Sequence, residues 1–300
     1  MRRFTTMVPI LQALLVTFLW STSFVIIKWG LAEIHPVTYA GLRYFIAFLC
    51  FLPFVFKKKY RAEIRMLTLL QWKHLFGLGV VFYFFTQGIQ FLGLYYLPAV
   101  TVSLLLNFTP LLVAMLGIKF LNEKPSVLQW SGALLFLAGA IFYFYPVSLS
   151  ENQSLGLAIM VIGILANAGS SILGRNINRN RDISAVVVTF ISMGVGSTLL
   201  LTLGVSLGGV PSIDITNWLM LIWLAVINTA LAFTLWNHTL RKLSAMESSI
   251  INNTMLIQIA VLAWIFLDEK ITTQEGIGLS IAVIGAVLVQ LKKRTAKTRI

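Results

Sequence analysis

The chain has 300 residues, of which 58% are hydrophobic and 11% are charged, and its net charge is +13. A soluble domain carries about 25% charged residues, so this composition predicts an integral membrane protein without a soluble catalytic domain. The positive charge does not indicate nucleic-acid binding, because the lysine and arginine residues lie in connectors and tails between apolar runs instead of on one solvated face.

Apolar runs bounded by charges or by Pro, Gly and Asn clusters define ten predicted spans. Each must be helical, because an unpaired backbone group in hydrocarbon costs several kcal/mol. The spans are 8–28, 36–56, 75–94, 99–120, 127–145, 155–175, 183–208, 217–237, 247–267 and 272–291. The first run follows Arg2 and Arg3, as a signal peptide would, but no small-residue cleavage site follows it, so we count it as a helix.

The positive charges predict how the chain is oriented. If the N-terminus lies in the cytoplasm, all but three of the 23 lysine and arginine residues lie on the cytoplasmic side or in the tail. The exceptions are Lys28, Lys270 and Arg43. Because lysine and arginine accumulate in cytoplasmic loops, we expect a multi-pass protein of the plasma (inner) membrane with both termini in the cytoplasm.

An internal repeat links the two halves of the chain. Residues 97–141 align without a gap with residues 243–287, and the alignment matches Asn107 with Asn253. A Glu-Lys pair and two glycines seven residues apart match in the same register. Apolar helices match by chance at leucine and alanine, but not at an asparagine within the membrane, so we interpret the match as a repeat.

The repeat predicts two domains, a five-helix repeat at 1–146 and a second at 147–300 with a basic cytoplasmic tail. Because five is odd, the second repeat enters the membrane from the opposite side. The predicted fold is therefore all-α integral membrane, with ten transmembrane helices as two inverted five-helix repeats. This arrangement recurs in secondary transporters, where two half-structures rock about a site at the midplane.

Three kinds of segment carry a family resemblance. Phe18–Phe24 is similar to a Trp-Gly-Ser-x-Phe segment, and Pro36 followed by Arg43 and Ala47 is similar to a Pro…Arg…Ala pattern in the second helix. Asn107–Pro110 followed by Leu121–Lys124 is similar to a Pro-then-Glu ending of the fourth helix, and Leu267–Lys270 is similar to its last part. With these segments the chain resembles the drug/metabolite transporter (DMT) superfamily, and within it the ten-helix permeases of the EamA type.

The resemblance implies a transporter and leaves its substrate open, because members carry amino acids, other metabolites and toxic compounds. We expect a secondary transporter that moves a small metabolite, either an amino acid or a related polar or amphipathic compound, across the plasma membrane. The expected direction is efflux and the expected mechanism is alternating access. The alternatives are a membrane channel and a drug-type exporter of broad specificity.

The chain contains no cluster at metal-ligand spacing, no phosphate-binding loop and no nucleophile with a base at usable spacing. We therefore expect no enzymatic activity, no catalytic residues, no cofactor and no metal. The expected partners are a small-molecule substrate and the lipid bilayer, without nucleic acid, and both a monomer and a homodimer are compatible with the sequence.

Polar side chains at helical spacing predict the substrate site. Within a membrane such groups either bond neighbouring helices or line a pathway. The resemblance implies that the first, third, fourth, sixth, eighth and ninth helices line a central cavity, and polar stripes occur there. The predicted substrate-binding residues are Trp20, Ser23, Tyr83, Gln87, Asn107, Asn167, Asn228, Trp236 and Asn253. For each of them, hydrogen bonding between packed helices is the alternative.

Arg43 lies deep in the second predicted span. If Pro36 opens this helix, Arg43 is roughly 10 Å from its end at 1.5 Å per residue. An arginine near mid-bilayer costs about 2.5–3.5 kcal/mol on insertion scales. The residue either contacts an anionic group of the substrate or has a structural role, by snorkelling outward or capping carbonyl groups.

Small residues in the fifth and tenth spans predict close helix packing. Gly132 and Gly139 share a face of the fifth span, and Gly278, Ala282 and Gly285 share a face of the tenth. Neither face carries a strong polar group, and small residues let helix backbones approach each other within a membrane.

Overall fold

The computed structural model describes a helical chain, without a strand in the described residues. These are residues 2–113, 115, 126–145, 150–179, 183–240, 242–243 and 245–290. The helices are α1 (Arg2–Gly30), α2 (Pro36–Val55), α3 (Lys58–Arg65), α4 (Leu69–Leu78, Gly79–Thr86 and Gln87–Tyr96), α5 (Ala99–Leu106), α6 (Val127–Phe144), α7 (Glu151–Arg179), α8 (Ala185–Gly208), α9 (Ile215–Ala225, Val226–Leu231 and Ala232–Leu240), α10 (Ala245–Phe266) and α11 (Thr273–Gln290).

Every predicted span overlaps a helix in its described residues, apart from a few residues at span ends and a turn at 107–108. Seven helices of the described chain are long and apolar enough to cross a membrane, which makes this a multi-pass membrane protein. Three further predicted spans correspond to the shorter apolar helices Ala99–Val113, Ile251–Phe266 and Thr273–Val289. Residues 114, 116–120 and 291, which belong to two of these spans, lie outside the described residues, as does the basic tail that follows them.

A short helix lies within the basic segment 57–73, which the sequence predicts only as a connector. This helix, α3, turns Tyr60 and Ile64 towards a cluster of buried apolar residues from α4 and α8. The carboxylate of Glu63 accepts a hydrogen bond from the backbone N–H of Ser184, just before α8. The apolar side of α3 is thus anchored to the helices, while its lysine and arginine residues remain exposed.

Helices approach each other at backbone distance in several places, and the first pair considered is α2 with α8. A Cβ atom added to Gly41 would lie 2.5 Å from the Cα atom of Leu201. A Cβ atom added to Gly204 would lie 2.5 Å from the Cα atom of Thr38. No side chain fits in these gaps, so glycine at both positions sets the distance between the two helices.

The second close pair is α6 with α11, and it confirms the packing predicted from the small faces. A Cβ atom added to Gly139 would lie 2.5 Å from the backbone nitrogen of Ala282. One added to Gly132 would lie 2.6 Å from the backbone nitrogen of Val289. Contact this close between two backbones is typical of small-residue helix interfaces in membranes.

Two helices of the described chain contain π turns partway along their length. Gly79–Thr86 of α4 and Val226–Leu231 of α9 form π turns, which we call the first and second π segments. In each, a threonine hydroxyl donates to the carbonyl five residues earlier, Thr86 at 2.9 Å and Thr229 at 2.8 Å. π turns are rare and occur frequently at functional sites. They lie in the third and eighth predicted spans, which the two-repeat prediction makes equivalent.

Candidate functional site

Arg43 is buried within the helix assembly, with 4% of its surface exposed. Its Nε donates a hydrogen bond to Thr229 Oγ1 at 3.1 Å, in the second π segment. The guanidinium carbon lies 5.3 Å from the ring centroid of Tyr44 and 6.0 Å from that of Phe91. No carboxylate among the described residues forms an ion pair with Arg43. The side chain therefore reaches into the protein instead of snorkelling outward, and its charge lacks a counterion within the described chain.

The next residue of α2 contacts the first π segment. Tyr44 Oη donates a hydrogen bond to Gln87 Oε1 at 2.6 Å, and the Tyr44 ring packs edge-on against Tyr83 with centroids 5.7 Å apart. Tyr83 belongs to the first π segment, and Gln87 follows it directly. Two consecutive residues, Arg43 and Tyr44, thus connect α2 to both π segments.

Asn228 is fully buried in the second π segment, and its neighbours fix the orientation of its amide. Asn228 Nδ2 donates to the Leu19 carbonyl at 2.5 Å and to Thr22 Oγ1 at 3.2 Å. The Thr22 hydroxyl gives its own proton to the Leu19 carbonyl at 2.7 Å, so both neighbours can only accept. Asn228 Oδ1 consequently faces away from them, buried and without a donor in the described part of the chain.

An aromatic cluster joins α1 to α9 and contains both predicted tryptophans. The Trp20 ring centroid lies 5.4 Å from that of Phe233 and 5.3 Å from that of Trp236. Ser23 lies one turn further along α1, where its hydroxyl donates to the Trp20 carbonyl. The structure therefore brings Trp20 and Trp236 together and directs the Ser23 hydroxyl to its own helix.

Asn107 and Asn167 lie near an interruption of α5. The helix gives way to a turn at Asn107 and Phe108 and resumes at Thr109. Asn107 Nδ2 donates to the Ser103 carbonyl at 2.9 Å, and Asn167 Nδ2 donates to Thr109 Oγ1 at 3.1 Å. Asn107 thus bonds the end of its own helix, whereas Asn167 ties α7 to the segment that follows the turn. The sequence pattern did not predict this interruption.

Asn253, the last predicted residue, is buried on α10 with 4% of its surface exposed. The same helix carries a polar residue that the sequence analysis missed, Gln258. Its Oε1 accepts a hydrogen bond from Ser21 Oγ at 2.9 Å, and its Nε2 donates to Thr254 Oγ1 at 3.0 Å. A glutamine within an apolar run was the available signal, but it lies off the stripe that was used to select Asn253.

The family assignment rests on the whole length of the chain. The family model described as the EamA-like transporter family matches residues 7–145 and again residues 149–291. The chain belongs to this EamA-like transporter family. The resemblance found in the sequence is thereby confirmed.

Relatives of this EamA-like transporter are named as transporters. The uncharacterized transporter YoaV of Bacillus subtilis (strain 168) is 24% identical over 281 residues, which cover 91% of each chain. A protein of Escherichia coli (strain K12) named "Probable amino-acid metabolite efflux pump" is 23% identical over 283 residues, again 91% of each. A solved crystal structure covers 94% of this chain with a TM-score of 0.66 at 17% identity, which shows a shared fold. The protein is therefore a membrane transporter of the DMT type and not an enzyme.

This EamA-like transporter also has a cavity of about 500 Å³ beside the N-terminus of α5, here called the end cavity. Asp268, two residues after the end of α10, adopts a left-handed conformation with φ 53°, which short polar side chains tolerate. Glu269 follows, and its carboxylate accepts hydrogen bonds from the backbone N–H groups of Ala99 at 2.7 Å and Val100 at 3.3 Å. None of the predicted substrate-binding residues is among those that line the end cavity.

Proposed function

We propose that this transporter exports amino acids or closely related polar metabolites across the plasma (inner) membrane, by alternating access of two inverted five-helix repeats. The name of the Escherichia coli relative supports both the substrate class and the direction, since that protein covers 91% of this chain. The distribution of lysine and arginine supports cytoplasmic termini. The proposal includes ten transmembrane helices and domain limits at 1–146 and 147–300.

The observation that carries the proposal is a pair of reciprocal contacts between α6 and α11. A Cβ atom added to Gly132 would lie 2.9 Å from the Gly285 carbonyl oxygen, and one added to Gly278 would lie 2.8 Å from that of Gly139. The sequence repeat aligns Gly132 with Gly278 and Gly139 with Gly285. Exchanging the repeats therefore converts one contact into the other, as a two-fold axis between the helices requires.

The two π segments support the same symmetry and suggest where the substrate is held. They occur in α4 and α9, at equivalent places in the two proposed repeats. Inverted-repeat transporters bind substrate near the midplane, between the repeats and beside irregular helices. The predicted residues Tyr83, Gln87 and Asn228 lie within or next to the π segments, so we place the substrate site there, with Trp20 and Trp236 at its aromatic side.

Reconstitution tests the proposal. Purified protein in liposomes loaded with one amino acid should accumulate the radiolabelled form of that amino acid by saturable exchange, and protein-free liposomes should not. Cells that overproduce the protein should release preloaded amino acids faster than control cells. Exchange confined to lipophilic cations would favour a drug-type exporter, and unitary currents without saturation would favour a channel.

A further inference from the structure

We infer that the second π segment forms a two-point site for a zwitterionic α-amino acid, with the substrate carboxylate at Arg43 and the substrate ammonium group at Asn228 Oδ1. The inference rests on the proposed function and deepens it, because it names the substrate groups that are recognised and the atoms that recognise them. It requires both charged groups on one ligand.

Arg43 supplies the positive half of the site. A guanidinium group has five N–H donors in a planar fork and stays charged in proteins. Within the described chain one of these donors is used, by Thr229 Oγ1 at 3.1 Å, and no carboxylate pairs with the group. A buried charge without a partner in a membrane is costly and marks a functional site. The fork matches the two oxygens of a carboxylate.

Asn228 supplies the acceptor half. Its Oδ1 is buried, and no donor in the described residues reaches it. The amide cannot turn round to relieve this, because Leu19 and Thr22 offer only acceptors to Nδ2. An unsatisfied buried acceptor costs about 1–3 kcal/mol. An ammonium group has three donors and no acceptor, so it satisfies this oxygen where a carboxylate would be repelled.

The two halves meet at the second π segment, because the residue that binds Arg43, Thr229, directly follows Asn228. Thr229 accepts the hydrogen bond from Arg43 of α2, while Asn228 faces α1. Neighbouring Cα atoms are about 3.8 Å apart, so the partner of Arg43 and the residue that carries the acceptor are adjacent in the helix. A simple carboxylic acid leaves Asn228 Oδ1 unsatisfied, and an amine without a carboxylate leaves Arg43 without a counterion. The site therefore selects against such ligands, because each of them leaves a buried group of the protein without a partner.

Three matched ligands test the inference on the purified full-length transporter. For the amino acid that is transported best, the probes are that amino acid, its amide and its des-amino acid. For leucine these are L-leucine, L-leucinamide and 4-methylpentanoate. We expect the wild-type protein to bind the amino acid about 10- to 100-fold more tightly than either analogue, as expected for hydrogen bonds to charged groups.

Two variants should separate the two contacts. Arg43→Gln should abolish the preference for the amino acid over its amide and keep the preference over the des-amino acid. Asn228→Ala should have the opposite effect. Arg65→Gln and Asn152→Ala, at exposed positions, serve as controls and should change neither ratio. If Arg43→Gln does not fold, Arg43→Lys replaces it, and this variant should lower the acid-to-amide ratio severalfold, because lysine lacks the planar fork.

The outcomes separate this inference from the proposed function. If the wild-type protein neither transports nor binds amino acids, the proposed function fails and the zwitterion site fails with it. If it transports them but the Arg43 and Asn228 variants change neither ratio, the two-point site is wrong and amino-acid export stands. If each variant lost the preference over the amide and also the preference over the des-amino acid, the inference would likewise be wrong, since this result would indicate a general disturbance of the helices.

Discussion

The hydrogen bond from Arg43 Nε to Thr229 Oγ1, 3.1 Å long, joins the second predicted span to the eighth. Thr229 can accept it because its own hydroxyl proton is donated to the Leu224 carbonyl at 2.8 Å, within the second π segment. The geometry of the π turn and the position of the buried charge are therefore linked through a single hydroxyl group.

Replacement of this hydroxyl tests the link. Thr229→Val keeps the volume of the side chain and removes the acceptor of the Arg43 guanidinium, so we expect a loss of about 1.5–3 kcal/mol of stability, the range for hydrogen bonds to charged groups. Thermal unfolding in detergent measures it. Thr234→Val is the matched control, because Thr234 is exposed on the same helix and donates only to the Ala230 carbonyl. Equal melting temperatures for the two variants would contradict this role of Thr229.

The α6–α11 interface yields a prediction with a control two residues away. A Cβ atom at Gly278 would lie 2.7 Å from the backbone nitrogen of Tyr143, whereas a Cβ atom at Gly276 would meet nothing within 4 Å. Gly278→Ala should therefore separate the helices and destabilise the protein by about 1–3 kcal/mol, as overpacking does. Gly276→Ala should be neutral or slightly stabilising, since alanine favours a helix. Thermal unfolding of both variants tests this prediction. Similar melting temperatures for the two variants would show that the interface is looser than described.

Much of this fold could be predicted because apolar runs of span length and small-residue faces are local properties of the sequence. The face of Gly132 and Gly139 is one example, and the depth of Arg43 is another. The turn at Asn107 and the two π segments were not predicted, since they change the hydrogen bonding within apolar helices and leave the apolar pattern of the sequence intact. The partner of Arg43 is likewise far along the chain. Gln258 was missed because it lies off the stripe that predicts Asn253, and its partner Ser21 is far away in the sequence.

Glu269 provides a prediction about the end cavity. Its carboxylate accepts hydrogen bonds from the backbone N–H groups of Ala99 and Val100 and thereby caps the first turn of α5. Glu269→Ala should remove this cap and lower stability by about 0.5–2 kcal/mol, the range for a lost helix cap. Glu151→Ala, at an exposed position, is the control for loss of a negative charge. The measurement is thermal unfolding at neutral pH, and an unchanged melting temperature for Glu269→Ala would show that water replaces the cap without loss.

The orientation of the chain can be tested with single cysteines. Cys50 is the only cysteine in the sequence, so a Cys50→Ala background removes native reactivity. Arg65 on α3 and Asn152 on α7 are both exposed, and the proposed topology places them on opposite sides of the membrane. In intact cells an impermeant thiol reagent should therefore label Asn152→Cys and leave Arg65→Cys unmodified, because the basic segment faces the cytoplasm. Permeabilised cells provide the control, in which both variants should react. Labelling of Arg65→Cys together with protection of Asn152→Cys in intact cells would invert the topology, and the assignment of the termini to the cytoplasm would be wrong.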